Sequence, residues 1–199
     1  DADQPVVLAM QANRGLVAAQ DDAGRRAWID WLRAVTRQFK GQVRWYLLSG
    51  LQPPPDAVDG PKREAYDIKA AAVTIRAEDP AAGVALSLDD RAALERLALV
   101  YQSAGDLEPY VDGVCLHLAA SDDPESSVAA AREILLPIDP GASLWLRSDL
   151  VDGTNDKARE DEILRRSASI LGARVDMALF DLPASSGTSP RRPPLAGRA

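Results

Sequence analysis

Short apolar runs alternate along the chain with longer stretches in which apolar residues recur every three or four positions. The first run is Pro5 to Met10 (PVVLAM). From Asp22 to Lys40, Trp28, Trp31, Leu32, Val35 and Phe39 keep helical spacing, which predicts a helix with both tryptophans facing the core. Asp21 or Asp22 can cap its first turn and Gly41 stops it. Val43 to Leu48 (VRWYLL) has the β-branched and aromatic content of a strand. The same helix-then-strand unit then recurs. A helix from Glu64 to Ala77 leads to strand Val84 to Leu88. A helix capped by Asp89 or Asp90, with Leu94, Leu97, Ala98 and Tyr101 on one face, leads to strand Val111 to Leu118. A helix opened by Pro124 and burying Val128, Ala131, Ile134 and Leu135 leads to strand Ala142 to Leu146. A helix from Asp156 to Leu171 leads to strand Val175 to Leu182.

Six strands and five helices in strict alternation predict an α/β fold of parallel strands joined by helical crossovers. The turns that enter strands are terse, as in Lys40-Gly41-Gln42 and Asp139-Pro140-Gly141. Those that leave strands are longer and more polar, as in Ser49 to Arg63 and Ser148 to Asn155. Functional loops of α/β folds sit at the carboxyl ends of the strands, so the polar loops are on the side where a site is expected. Periodicity alone leaves two architectures, a partial TIM-type (β/α) barrel and an open α/β sheet. After Pro183 the sequence becomes PASSGTSPRRPPLAGRA and loses its apolar period. Residues 1–183 are therefore expected to form one domain, with 184–199 a disordered tail or linker.

The bulk numbers fit a globular domain of 199 residues, with 46% hydrophobic and 27% charged residues. The net charge is −7, and 184–199 carries three arginines and no acid, which leaves the body at −10. An acidic body argues against nucleic acid and against anionic membrane as partners. No apolar run approaches the ~20 residues of a membrane-spanning helix. The single cysteine, Cys115, lies inside the apolar run 111–118 and reads as a buried structural thiol. One histidine, His117, and no ligand cluster give no metal site. The turn after the first strand, QANRG, has neither G-x-G-x-x-G nor G-K-[ST], so no nucleotide cofactor is expected. The chain opens on Asp1 rather than Met and is expected to be a processed chain or a piece of a longer one.

Several segments, in order, resemble the clan A glycoside hydrolases, most nearly family 39, the β-xylosidase and α-iduronidase type. Trp31 to Val43 (WLRAVTRQFKGQV), followed by VRWYLL, resembles their third helix and fourth strand. Tyr66 to Pro80 resembles the next helix with its closing Asp-Pro. Val111 to His117 (VDGVCLH) resembles the sixth strand, Leu144-Trp145-Leu146 the seventh, and Ile163 to Pro183 the last helix and eighth strand. The resemblance runs over about residues 5–183 and implies a (β/α) barrel that begins at the third strand of eight. The free edges of such a sheet call for a partner chain or an upstream segment that completes the barrel. A location outside the cytoplasm is implied by the resemblance alone.

Retaining glycosidases need two carboxyl groups about 5–5.5 Å apart. The resemblance puts the acid/base, the Glu of Asn-Glu-Pro, on Leu51, or on Gln52 with a slip of one residue. It puts the nucleophile on Ser148, where Arg147-Ser148 replaces Thr-Glu. Neither is a carboxylate. Asp149 is the fallback nucleophile, and Asp56, Asp59 and Glu64, in the stretch after the VRWYLL strand, are fallback acids. A Ser148–His117 triad with Asp149 or Asp181 is available by composition but lacks the G-x-S-x-G elbow. The resemblance gives His117 a place in the sugar subsite; Gln11, Asn13, Gln52, Asp149 and Asp181 also fall at strand ends, where side chains can hydrogen-bond sugar hydroxyls. Three functions follow: a glycosidase-like barrel that no longer hydrolyses and serves as a carbohydrate-binding or scaffold domain; an active glycoside hydrolase with relocated carboxylates; and a structural or protein-interaction domain.

Overall fold

The computed structural model describes residues 6–12, 22–53, 59–119, 121–149 and 156–181. Six strands alternate with five helices: β1 (Val7–Gln11), α1 (Asp22–Phe39), β2 (Trp45–Ser49), α2 (Gly60–Glu78), β3 (Gly83–Leu88), α3 (Arg91–Ala104), β4 (Gly113–Leu118), α4 (Pro124–Leu135), β5 (Ser143–Asp149), α5 (Asp156–Gly172) and β6 (Met177–Asp181). Every expected element is present. The caps act as their chemistry requires: Asp90 accepts the Ala93 N–H at 2.7 Å and Asp123 that of Ser126 at 2.9 Å. Pro61 lets α2 begin at Gly60, four residues before the periodicity predicts. β4 begins at Gly113 rather than Val111, because the Asp112 carboxylate is taken by the Val84 N–H at 2.7 Å and by Arg76. Asp176 repeats the device ahead of β6, accepting the Leu144 N–H at 2.8 Å.

All five strand pairs are parallel and the order is β1-β2-β3-β4-β5-β6. An open doubly wound sheet reverses its order at a switch point, which puts helices on both faces. Here each strand lies beside its predecessor, and right-handed crossovers then put every helix on one face. The packing agrees. One alternate set of strand residues, including Met10, Leu48, Leu86, Val114 and Leu144, forms a single core with Trp28, Leu32, Ile68, Ile75, Leu97, Val128 and Ile170 of the helices. The other set, Leu47, Ala85, Cys115 and Trp145 with Val7, Trp45, Met177 and Leu179, forms a second core without helix residues. The sheet is therefore a half-barrel with helices outside and a small apolar core inside. Cys115 is fully buried in that inner core.

One expectation fails in α1. Trp28 is buried, but Trp31 is 41% exposed and stacks on the Trp28 ring with centroids 5.1 Å apart. Three helical steps place Trp31 about 60° around from Trp28, on the flank of the buried stripe. The expected tail, 184–199, lies outside the described residues.

The inner core depends on one missing side chain. Trp45 and Trp145 meet edge to face with centroids 4.7 Å apart, and Trp45 is register-paired with Gly83. A Cβ at Gly83 would overlap the Trp45 ring. Gly83→Ala is expected to cost about 1–3 kcal/mol by overpacking. The loss is read as a lower denaturant midpoint with an unchanged slope, together with altered near-UV tryptophan dichroism.

Candidate functional site

Strand parity decides what reaches the barrel mouth. Along the inner face, the positions toward the carboxyl ends are Gln11 on β1, Ser49 on β2, Ser87 on β3, His117 on β4, and Arg147 followed by Asp149 on β5. The register pairs Gln11 with Ser49 and His117 with Arg147. Gln11 is exposed, Ser49, His117 and Arg147 are half-buried, and Ser87 is buried. The apolar floor of Leu47, Ala85, Cys115 and Trp145 lies directly beneath. Asp149 and Asp181 continue the same alternation on β5 and β6 and are register partners of each other. Adjacent strands lie about 4.8 Å apart, so the backbone brings these two positions together.

Ser148 belongs to the opposite parity, paired with Leu118 and Phe180 of the helix-facing set. It is fully buried, and its Oγ accepts a 2.6 Å hydrogen bond from Nε of Arg166 on α5. Arg166 also donates to the Ala119 carbonyl at 2.6 Å, which ties the carboxyl ends of β4 and β5 together. Ser148 and His117 thus lie on opposite faces of the sheet, and the Ser148–His117 triad is not assembled. Leu51 is buried in the core, while Gln52 is half-buried beside it. Gly50, at φ 72°, turns the chain where a Cβ would press on the Ala12 carbonyl, and Ala12 N–H bonds the Ser49 carbonyl at 2.9 Å. This close approach fixes the exit from β2.

Of the fallback acids, Asp59 lies on the surface, and Glu64 lines a small hollow with Ser49, Gln52 and Ser87. Asp59 precedes α2 with a left-handed backbone and no side-chain capping bond, and lies near Lys62 on the surface. Glu64 is within α2 rather than in the loop before it. It is buried among the helices and paired with Arg96 of α3 at 3.3 Å. Asp67, one turn on, is paired with Arg25 of α1 at 3.0 Å. Burial pushes both carboxyls above their ordinary range, against the pull of Arg96 and Arg25 respectively. Asn13 and Asp56 lie outside the described residues. Among the described residues no group of three or more His, Cys, Asp or Glu is placed to hold a metal, and no helix is long and apolar enough to cross a membrane.

A cleft of about 410 Å³ also opens at the carboxyl side, between the first turns of α3 and α4. Asp89, Arg91, His117, Asp122 and Ser126 line its rim, and Leu94, Leu116 and Ala131 its floor. Two of its acids are engaged in local structure: Asp90 caps α3 and Asp122 accepts the Ala119 N–H. A shallower hollow of about 500 Å³ at the amino ends, around Arg44, Arg76 and Asp112, lies on the side that serves stability in such folds.

Sequence reasoning missed Arg147, Ser49 and Ser87, and with Arg166 the residue that turns Ser148 away. Arg147 and Ser87 were within reach: both alternate with Trp145 and Ala85 of the inner face, and parity alone separates them from Ser148. Arg166 had no signal, because its partners are 18 and 47 residues away.

Glu64 and Asp67 bind protons more tightly in the folded state. Their contribution to stability is complete below the ordinary carboxylate pKa of about 4 and is lost as pH rises through their raised folded values. In thermal scans from pH 4 to 7, Glu64→Gln is expected to remove part of that decline; an unchanged pH slope would contradict the assignment.

No protein-family model and no curated protein matches the chain. Solved structures do. A thermostable mutant of a xylanase from Cellvibrio japonicus superposes with a TM-score of 0.61 at 14% identity, covering 89% of this chain and 67% of that one. A glucosidase from Croceicoccus marinus gives 0.63 at 15% identity, covering 89% and 42%. A family 10 endoxylanase from a sugarcane soil metagenome gives 0.61 at 11%, covering 89% and 65%. The chain spans about two thirds or less of the length of these proteins. The likeness is to glycoside hydrolases of family 10 and not to family 39 in particular, and at such identities it concerns the fold. The chain has the (β/α)-barrel fold of the glycoside hydrolases over most of its length.

Proposed function

We propose that this half-barrel is a glycosidase-like domain that binds or presents a carbohydrate without hydrolysing it. One observation carries the reading. At the positions aligned with the carboxylates of the resembled hydrolases, Leu51 or Gln52 and Ser148, no carboxylate stands: Leu51 is buried in the core and Ser148 is turned into the helix layer by Arg166, while the inward positions beside them are Ser49 on β2 and Arg147 followed by Asp149 on β5. The hydroxyl, amide, imidazole and guanidinium groups of Ser49, Gln11, Gln52, His117 and Arg147 suit hydrogen bonding to sugar hydroxyls over an apolar floor. None of them is a carboxyl proton donor paired with a carboxylate nucleophile. The fold shared with a xylanase and a glucosidase supports a saccharide as the ligand. On a glycan array the protein is expected to retain saccharides, with His117→Ala and Arg147→Ala each weakening binding at least several-fold. Parallel assays on aryl glycosides and xylan should give no turnover. Binding to no saccharide at all would instead favour a structural or protein-interaction domain.

A second reading rests on the register pairing of Asp149 with Asp181. Two aspartates on neighbouring strands at the mouth offer a place for a relocated carboxylate pair. If the domain does hydrolyse a glycoside, Asp149→Asn and Asp181→Asn should each lower kcat by several orders of magnitude while leaving the fold intact by circular dichroism.

A further inference from the structure

α3 and α4 are neighbours in the helix ring, and the wedge between them is fastened at one end and open at the other. At the amino side of the sheet, the buried Tyr101 of α3 donates to Asp139, in the turn between α4 and β5, at 2.8 Å. At the carboxyl side the first turns of the two helices part around the cleft of about 410 Å³. No ion pair joins α3 to α4 among the described residues.

This cleft is separate from the barrel mouth. Its floor, Leu94, Leu116, Leu118 and Ala131, belongs to the core between sheet and helices, whereas the mouth is built from the opposite strand set. Of the mouth residues, His117 alone is shared, at the rim. α4 turns only methyl groups, Ala130 and Ala131, toward this space, and so leaves it room. A cavity that is apolar below and polar at its rim is of the kind that holds small molecules, and its size is at the lower end of their range of about 300–1,000 Å³.

The rim charges select among such molecules. Asp90 uses one carboxylate oxygen to cap α3, and Asp122 uses one on the Ala119 N–H. Asp89 has no ion pair among the described residues. Arg91, the one arginine or lysine of the rim, donates instead to Glu95, one turn further along α3, at 3.0 Å. Carboxylate oxygens thus stand over an aliphatic floor with no cation of the protein set between them. An anion would meet like charge there. A polyol would leave hydroxyls unpaired against the leucines. An ammonium group on an apolar body satisfies both surfaces.

We propose that the cleft between α3 and α4 is a second binding site, for a small organic cation: a protonated amine on a compact apolar body of single-ring size. The proposal stands whether or not the mouth binds a saccharide.

The test titrates the full chain with three probes that share a body and differ in the head: 2-phenylethylamine, 2-phenylethanol and 3-phenylpropionate. Binding is read from the backbone amide resonances. The amine is expected to shift those of Arg91, Leu94, Ser126 and Ala131 saturably, and to bind at least roughly tenfold more tightly than the carboxylate. Added salt should weaken it. Ala130→Phe, which fills the cleft, and Asp89→Asn, which removes a rim charge, should each weaken it several-fold. Asp89 is exposed, so its variant keeps the test available even where the larger side chain disturbs folding. A carboxylate or alcohol that binds as tightly as the amine would overturn the proposal, since charge would then select nothing. So would an amine that shifts no amide at the cleft, or one whose binding both variants leave intact.

Discussion

The register of the parallel sheet is the constraint on which everything else rests. Each strand is offset so that like faces like: Met10, Leu48, Leu86, Val114 and Leu144 form one continuous row under the helices, and Ala9, Leu47, Ala85 and Gly113 form the row behind it. A slip of one residue in any strand would exchange its two sets and bring a polar mouth residue into the helix core. Gly83 and the Trp45–Trp145 pair hold this register from inside, because the indole fits only against a strand that lacks a side chain at that point.

Around that sheet the helices are held mainly by apolar burial and only secondarily by charge. The ion pairs join the first three helices: Arg25 to Asp67 and Arg37 to Glu78 between α1 and α2, Arg96 to Glu64 between α3 and α2, and Lys69 of α2 to Asp106 just past α3. Those on the surface are screened and fix angle more than they stabilise. Glu64 and Asp67 differ, because their burial makes the carboxylate form costly even with an arginine beside it. They belong to the assembly of the helix ring. Sequence position near the β2–α2 loop made Glu64 look like a displaced catalytic acid; it lies within α2, buried and paired with Arg96.

The candidate site was legible in part. His117 and Gln11 could be placed at strand ends from the apolar runs that precede them, and both lie on the inner face. Ser148, the aligned nucleophile position, faces the helix layer, while Arg147 and Asp149 on either side have the inward parity. An aligned motif gives position along a strand, but the face is set by parity, and the parity of β5 is fixed by Trp145 pointing inward beside Cys115. Trp31 failed for a related reason. Helical spacing gives a stripe about 100° wide, and which residue at its margin is covered depends on whether a neighbouring helix is there.

The order of apolar runs, their two periods and the Asp, Pro and Gly residues at their ends determined by themselves the six strands, the five helices and the parallel crossovers, since these follow from interactions within a few residues. They also determined that Leu51 and Ser148 are no carboxylates. Tertiary structure alone decided between open sheet and barrel, because strand order depends on contacts between residues dozens of positions apart. It alone decided that Ser148 faces Arg166 while Arg147 and His117 share the mouth, because that choice is made by the packing of two faces against two different cores.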